Sequence, residues 1–138
     1  MFAVSIGQRD NPDLTGLRVL VVEDDYFIAS EICTALNRKS AEVVGPAANV
    51  QRGLELLQRE QVDCAVLDIN LRGEMVFQLA EELTQRGIPS IFATGYDESV
   101  IPRDLASIVH LVKPIDLAAL LRAIGAACST RNETVGDL

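Results

Sequence analysis

An α/β fold, with a parallel sheet covered by helices on both faces, is predicted by three observations. Five short apolar runs rich in β-branched residues alternate with segments of helical periodicity. The clearest of these runs are continuous rather than alternating, the mark of strands buried on both faces. Four runs end in polar groups that can do chemistry, Glu23-Asp24-Asp25, Asp68, Thr94 and Lys113, whereas one ends in Gly45-Pro46.

Residues 1–15, which include Gln8-Arg9-Asp10-Asn11-Pro12-Asp13, show no period and are expected to be a flexible lead-in to one domain over 16–128. Leu17 to Val22 is the first strand, and Ile28, Ile32, Ala35 and Leu36 then mark the inner face of a helix. Glu42 to Gly45 is a short second strand closed by Gly45-Pro46, after which Asn49 can cap a helix carrying Val50, Leu54 and Leu57. Val62 to Asp68 is the third strand. A helix from Glu74 to about Arg86 follows, with Val76, Leu79, Ala80 and Leu83 inward and Gly87 as its stop.

Ile88 to Ala93 is the fourth strand. Between Asp97 and Ser107 the apolar stripe is broken by Glu98, Ser99, Arg103 and Asp104, and Pro102 lacks an amide donor, so a short or mobile fourth helix is expected. Ile108 to Val112 is the fifth strand. Asp116 caps a last helix with Leu117, Leu120, Leu121 and Ile124 inward, and 129–138 is expected to be a tail.

Right-handed crossovers make this a doubly wound, flavodoxin-like (βα)5 sheet in the order 2-1-3-4-5. That order puts the strand ending in Gly45-Pro46 at one edge and the four reactive ends side by side. Ligands bind such sheets beyond the carboxyl ends, at the switch point between strands 1 and 3. At 138 residues, 49% apolar and without Trp, the chain is expected to be one domain with aliphatic packing. Its net charge of −8 argues against a nucleic-acid partner. Cys33, Cys64 and Cys128 are scattered through apolar stretches and read as buried free thiols in a reducing compartment. With no signal-like start and no span-length apolar run, a cytoplasmic chain without membrane attachment is expected.

Crowding Glu23, Asp24 and Asp68 into one cleft raises carboxylate pKa values unless a cation neutralises them, and a small set of hard oxygen donors suits Mg²⁺. Asp68 is the best nucleophile: a carboxylate can take a phosphoryl group when a metal ion and Lys113 offset the charge. Thr94 can donate to a phosphoryl oxygen, and Lys113-Pro114 both ends its strand and permits a cis bond.

The ordered set of Glu23-Asp24, Asp68, Asn70, Thr94 and Lys113-Pro114, spread over Leu17 to Ala127, resembles the receiver domain of two-component response regulators. The resemblance implies a single-domain, phosphoryl-accepting signalling switch with Asp68 as phosphoacceptor. It implies Mg²⁺ held by Asp24, Asp68 and the Asn70 carbonyl, with Glu23 acting through water, and phosphoryl contacts from Thr94 and Lys113. Phe92-Ala93-Thr94-Gly95-Tyr96 is similar to the signature of the FATGUY subgroup, without that pattern's residue between Gly and Tyr. That subgroup implies a sensor histidine kinase of the HWE/HisKA2 type as partner, with a phosphotransfer protein or downstream protein target, and admits a homodimer. His110 stands where receivers carry a Tyr or Phe switch, so His110 and Tyr96 are candidate switch positions.

The enzymatic alternative is an aspartate-nucleophile phosphatase of the haloacid-dehalogenase type, but that chemistry needs an acid two residues beyond Asp68, where Asn70 stands. A flavin binder would need a Ser, Thr or Gly-rich first loop rather than Glu23-Asp24-Asp25. The chain is therefore expected to be no enzyme beyond its own phosphorylation and dephosphorylation.

Overall fold

The computed structural model describes residues 13–95 and 98–136. Five parallel strands, β1 (Arg18–Val22), β2 (Glu42–Ala47), β3 (Cys64–Asp68), β6 (Ser90–Thr94) and β7 (Val109–Val112), form one sheet in the order β2-β1-β3-β6-β7. The intervening β4 (Asn70–Leu71) and β5 (Glu74–Met75) form a separate hairpin, so the sheet has the predicted 2-1-3-4-5 order. Helices α1 (Tyr26–Arg38) and α4 (Leu117–Gly136) cover one face, and α2 (Val50–Arg59) and α3 (Phe77–Gln85) the other.

Side chains alternate across each strand, so β1 and β3 feed both cores: Leu20, Val22 and Leu67 pack beneath α2 and α3, while Val19, Val21 and Val66 pack beneath α1 and α4. Every residue of β3 is buried, which explains its unbroken apolar pattern. Asn49 Oδ1 accepts from Arg52 N at 2.8 Å, and Asp116 Oδ1 accepts from Ala119 N at 3.2 Å, so both expected caps form. Gly87, at φ 72°, ends α3 as expected.

The second strand does not stop at Gly45-Pro46 but runs through it to Ala47, where the β1 register shifts between Leu20 and Val22. Gly45 makes this possible. Its φ is 103°, and a Cβ there would lie 2.9 Å from Ala47 N and 3.1 Å from Val21 O. Gly45→Ala should therefore destabilise the fold by about 2 kcal/mol in urea melts; an unchanged midpoint would show that the strand has room to relax.

Other boundaries also differ. The third helix starts at Phe77 rather than Glu74, because Glu74 and Met75 pair with Leu71 and Asn70. The expected short fourth helix is reduced to two 3-10 turns, Glu98–Val100 and Arg103–Leu105, of which Leu105 is buried. Polar residues had removed the stripe a full helix would need. Ordered packing begins before residue 16: Leu14 is 1% exposed, and its N–H donates to Lys39 O at 3.1 Å. At the other end α4 continues to Gly136, since no proline interrupts the 129–136 stretch. No helix among the described residues is long and apolar enough to cross a membrane.

Candidate functional site

The four predicted strand ends converge. Asp68 closes β3, Thr94 closes β6, and Glu23-Asp24 and Lys113 directly follow β1 and β7. One oxygen each from Glu23, Asp24 and Asp68 lie within 4.8 Å of one another. Lys113 Nζ lies 2.8 Å from Glu23 Oε1 and 3.3 Å from Asp68 Oδ2. The third acid of the run serves the helix instead. Asp25 Oδ1 accepts from Phe27 N at 2.9 Å and Ile28 N at 3.1 Å, capping α1. Asp25 N in turn donates to Glu23 Oε2 at 3.0 Å, which orients the buried Glu23 carboxylate.

Burial, reinforced by the neighbouring Glu23 carboxylate, pushes the Asp68 carboxyl up to about 7 despite the opposing Lys113 ammonium. Burial alone would lower Lys113, but its two carboxylate partners outweigh that and raise it. The strand end is thus a desolvated acid cluster with too little positive charge. Glu23 Oε1 is fully buried, and its contact with Lys113 is an ion pair without hydrogen-bond alignment. An oxygen-only set with an incompletely satisfied buried carboxylate fits a hard divalent cation.

Thr94 is 1% exposed, and its carbonyl accepts from Lys113 N at 2.8 Å, which ties the β6 and β7 ends together. Asn70, two residues past Asp68, opens the β4–β5 hairpin, and its Oδ1 accepts from Gly73 N at 2.6 Å. That side chain secures a turn. His110 is half-buried on β7, in register with Phe92 on β6. Tyr96 lies outside the described residues.

Sequence reasoning missed Arg72, whose Nε lies 3.4 Å from Asp24 Oδ2. The signal that was present is Arg72-Gly73, a two-residue turn between residues that pair as a hairpin.

A family model described as the response regulator receiver domain matches residues 19–125. Sensory transduction protein LytR of Staphylococcus haemolyticus is 31% identical over 112 residues, 78% of this chain and 44% of that protein. Transcriptional regulatory protein PdtaR of Mycobacterium tuberculosis is 28% identical over 120 residues, 84% of this chain and 58% of that protein. The chain thus spans about half the length of these curated relatives. Among solved structures, SdrG from Sphingomonas melonis Fr1 matches with TM-score 0.71 and 31% identity, over 80% of this chain and 95% of that one. PhyR from Brucella abortus matches with TM-score 0.80 at 22% identity, over 95% of this chain and 55% of that one, a likeness of fold alone.

Proposed function

Because the chain belongs to the response regulator receiver domain family, the phosphoryl-accepting switches of two-component signalling, we propose that Asp68 is its phosphoacceptor. The observation that carries this reading is the buried Asp68 carboxylate, lying beside Lys113 in a cluster with Glu23 and Asp24. A carboxylate oxygen of Asp68 attacks the phosphorus of a kinase phosphohistidine; the P–O bond forms as the P–N bond breaks, and the imidazole leaves with the electron pair. Asp24, Asp68 and the Asn70 carbonyl would hold Mg²⁺, with Glu23 acting through water. When bound, Mg²⁺ supplies charge neutralisation for the transferring group.

Lys113 pairs with one Asp68 oxygen in the resting state, which supports its following charge onto the phosphoryl group. Thr94, at the end of the strand adjacent to β3, would donate its hydroxyl to a phosphoryl oxygen. His110 and Tyr96 are the proposed readout positions. A phosphatase of the haloacid-dehalogenase type lacks support, because Asn70 supplies no acid and its side chain is engaged by Gly73.

The partner implied by the family is a histidine kinase. The stretch Phe92-Ala93-Thr94-Gly95-Tyr96, together with the likeness to SdrG, supports a kinase of the HWE/HisKA2 type. The switch would act in the cytoplasm on a protein partner, without catalysis on other substrates.

A phosphotransfer panel of histidine kinases, run with the wild-type protein and Asp68→Asn, tests the acceptor and the partner together. The expected result is transfer to wild type from one kinase class and none to Asp68→Asn. Retained labelling of Asp68→Asn would move the acceptor elsewhere.

A further inference from the structure

Three carboxylates at the site, Glu23, Asp24 and Asp68, face two cations, Lys113 and Arg72. Lys113 is shared between Glu23 and Asp68, which leaves Asp24 to Arg72 at 3.4 Å. The Asp24 side chain is 15% exposed, whereas that of Arg72 is 83% exposed. The guanidinium therefore lies on the solvent side of Asp24.

Nothing about Arg72's own preferences puts it there. Its φ is 55°, a left-handed conformation disfavoured for a residue with a Cβ, and Gly73 beside it has φ 94°. Positive φ at both central residues is what a tight two-residue hairpin turn of this hand requires. The hairpin is braced from several sides. Asn70 pairs with Met75 and Leu71 with Glu74, Asn70 Oδ1 accepts from Gly73 N, and Leu71 is buried. Glu74 Oε1 accepts from Val50 N at 3.2 Å, linking the hairpin to the start of α2. Arg72 thus projects from a fixed turn rather than from a loose loop.

We propose that Arg72 is a tethered cation that positions Asp24 in the resting site and must be displaced when a divalent ion binds there, so that it sets the site's metal affinity. This rests on the metal reading above. A dication that takes Asp24 as ligand comes within a few ångströms of the guanidinium, and like charges at that distance repel. A monovalent ion offers Asp24 no more charge than Arg72 already does, so only a divalent ion gains by the exchange. Because Arg72 is exposed, it can swing into solvent without unfolding the turn that carries it.

The test is a Mg²⁺ titration of the whole chain as wild type, Arg72→Ala and Arg72→Lys, followed by calorimetry and by the NMR resonance of the Arg72 Nε–H. Arg72→Ala should bind Mg²⁺ about three- to tenfold more tightly at low salt, with the advantage shrinking at high ionic strength. Arg72→Lys should stay near wild type, and the wild-type Nε–H resonance should shift as Mg²⁺ saturates. Equal or weaker Mg²⁺ binding by Arg72→Ala, or an unmoved Nε–H, overturns the proposal. A folded wild-type protein that binds no Mg²⁺ overturns the metal reading itself, and this inference with it.

Discussion

Asp68→Asn should make the metal-free protein more stable, by about 2–3 kcal/mol at pH 8 and by much less at pH 5. The Asp68 carboxyl is raised from 3.8 to about 7 in the folded protein, first by burial and then by Glu23. Between those values the native state binds a proton that the unfolded chain has released, so stability falls as pH rises through this window. Below about pH 4 both states are protonated and the penalty vanishes; above about 7 it is present in full. At 1.36 kcal/mol per pKa unit, a rise from 3.8 to about 7 corresponds to at most about 4 kcal/mol, reduced here because solvent at the strand end screens the carboxylate and because Asn remains a polar group there. Urea melts of both proteins in chelator at the two pH values decide it. A gain no larger at pH 8 than at pH 5 would mean that the carboxylate is not strained.

Magnesium should reverse that disadvantage in the wild-type protein. An ion that binds only the native site stabilises it by about 2.7 kcal/mol at one hundred times its dissociation constant. Asp24→Asn, which removes a donor from the cluster without touching the core, should lose most of that gain while folding normally in chelator. Identical urea midpoints for wild type with Mg²⁺ and with chelator would exclude a metal centre at Glu23, Asp24 and Asp68. The two substitutions also separate the terms: Asp68→Asn gains stability without metal, while Asp24→Asn chiefly forfeits the response to metal.

The sheet order and the convergence of Asp68, Thr94, Glu23 and Lys113 were legible because both follow from local pattern. A strand buried on both faces must be apolar throughout, so the first polar residue after it marks the sheet's carboxyl edge, where ligands bind. Period alone could not sort Glu23-Asp24-Asp25, since all three are acids in a row. Which one caps α1 depends on where the first helical turn places its amides, and that residue is Asp25. The β4–β5 hairpin was hidden for a similar reason: Glu74 and Met75 fit a helix start as well as a strand, and only their pairing with Leu71 and Asn70 settles the matter. Arg72 owes its contact with Asp24 to that turn: Arg72-Gly73 marks the turn in the sequence, but only the folded hairpin brings the guanidinium to Asp24.

The two faces of the sheet differ in a way that matters for watching the molecule open. All three cysteines belong to the core beneath α1 and α4, and none to the core beneath α2 and α3. Cys64 and Cys128 are 0% and 5% exposed, and contact with the Cys128 thiol, together with burial, holds the Cys64 thiol well above its usual range. Such thiols are inert until solvent reaches them. Cys33, half-buried on α1, is open to a thiol reagent from the start; the slower reaction of Cys64 and Cys128 then acts as a clock for excursions of one half of the protein, counting departures of α4 from β3 and ignoring fraying of the 3-10 turns on the opposite side. The chain carries this reporter natively, with no labelling site to engineer.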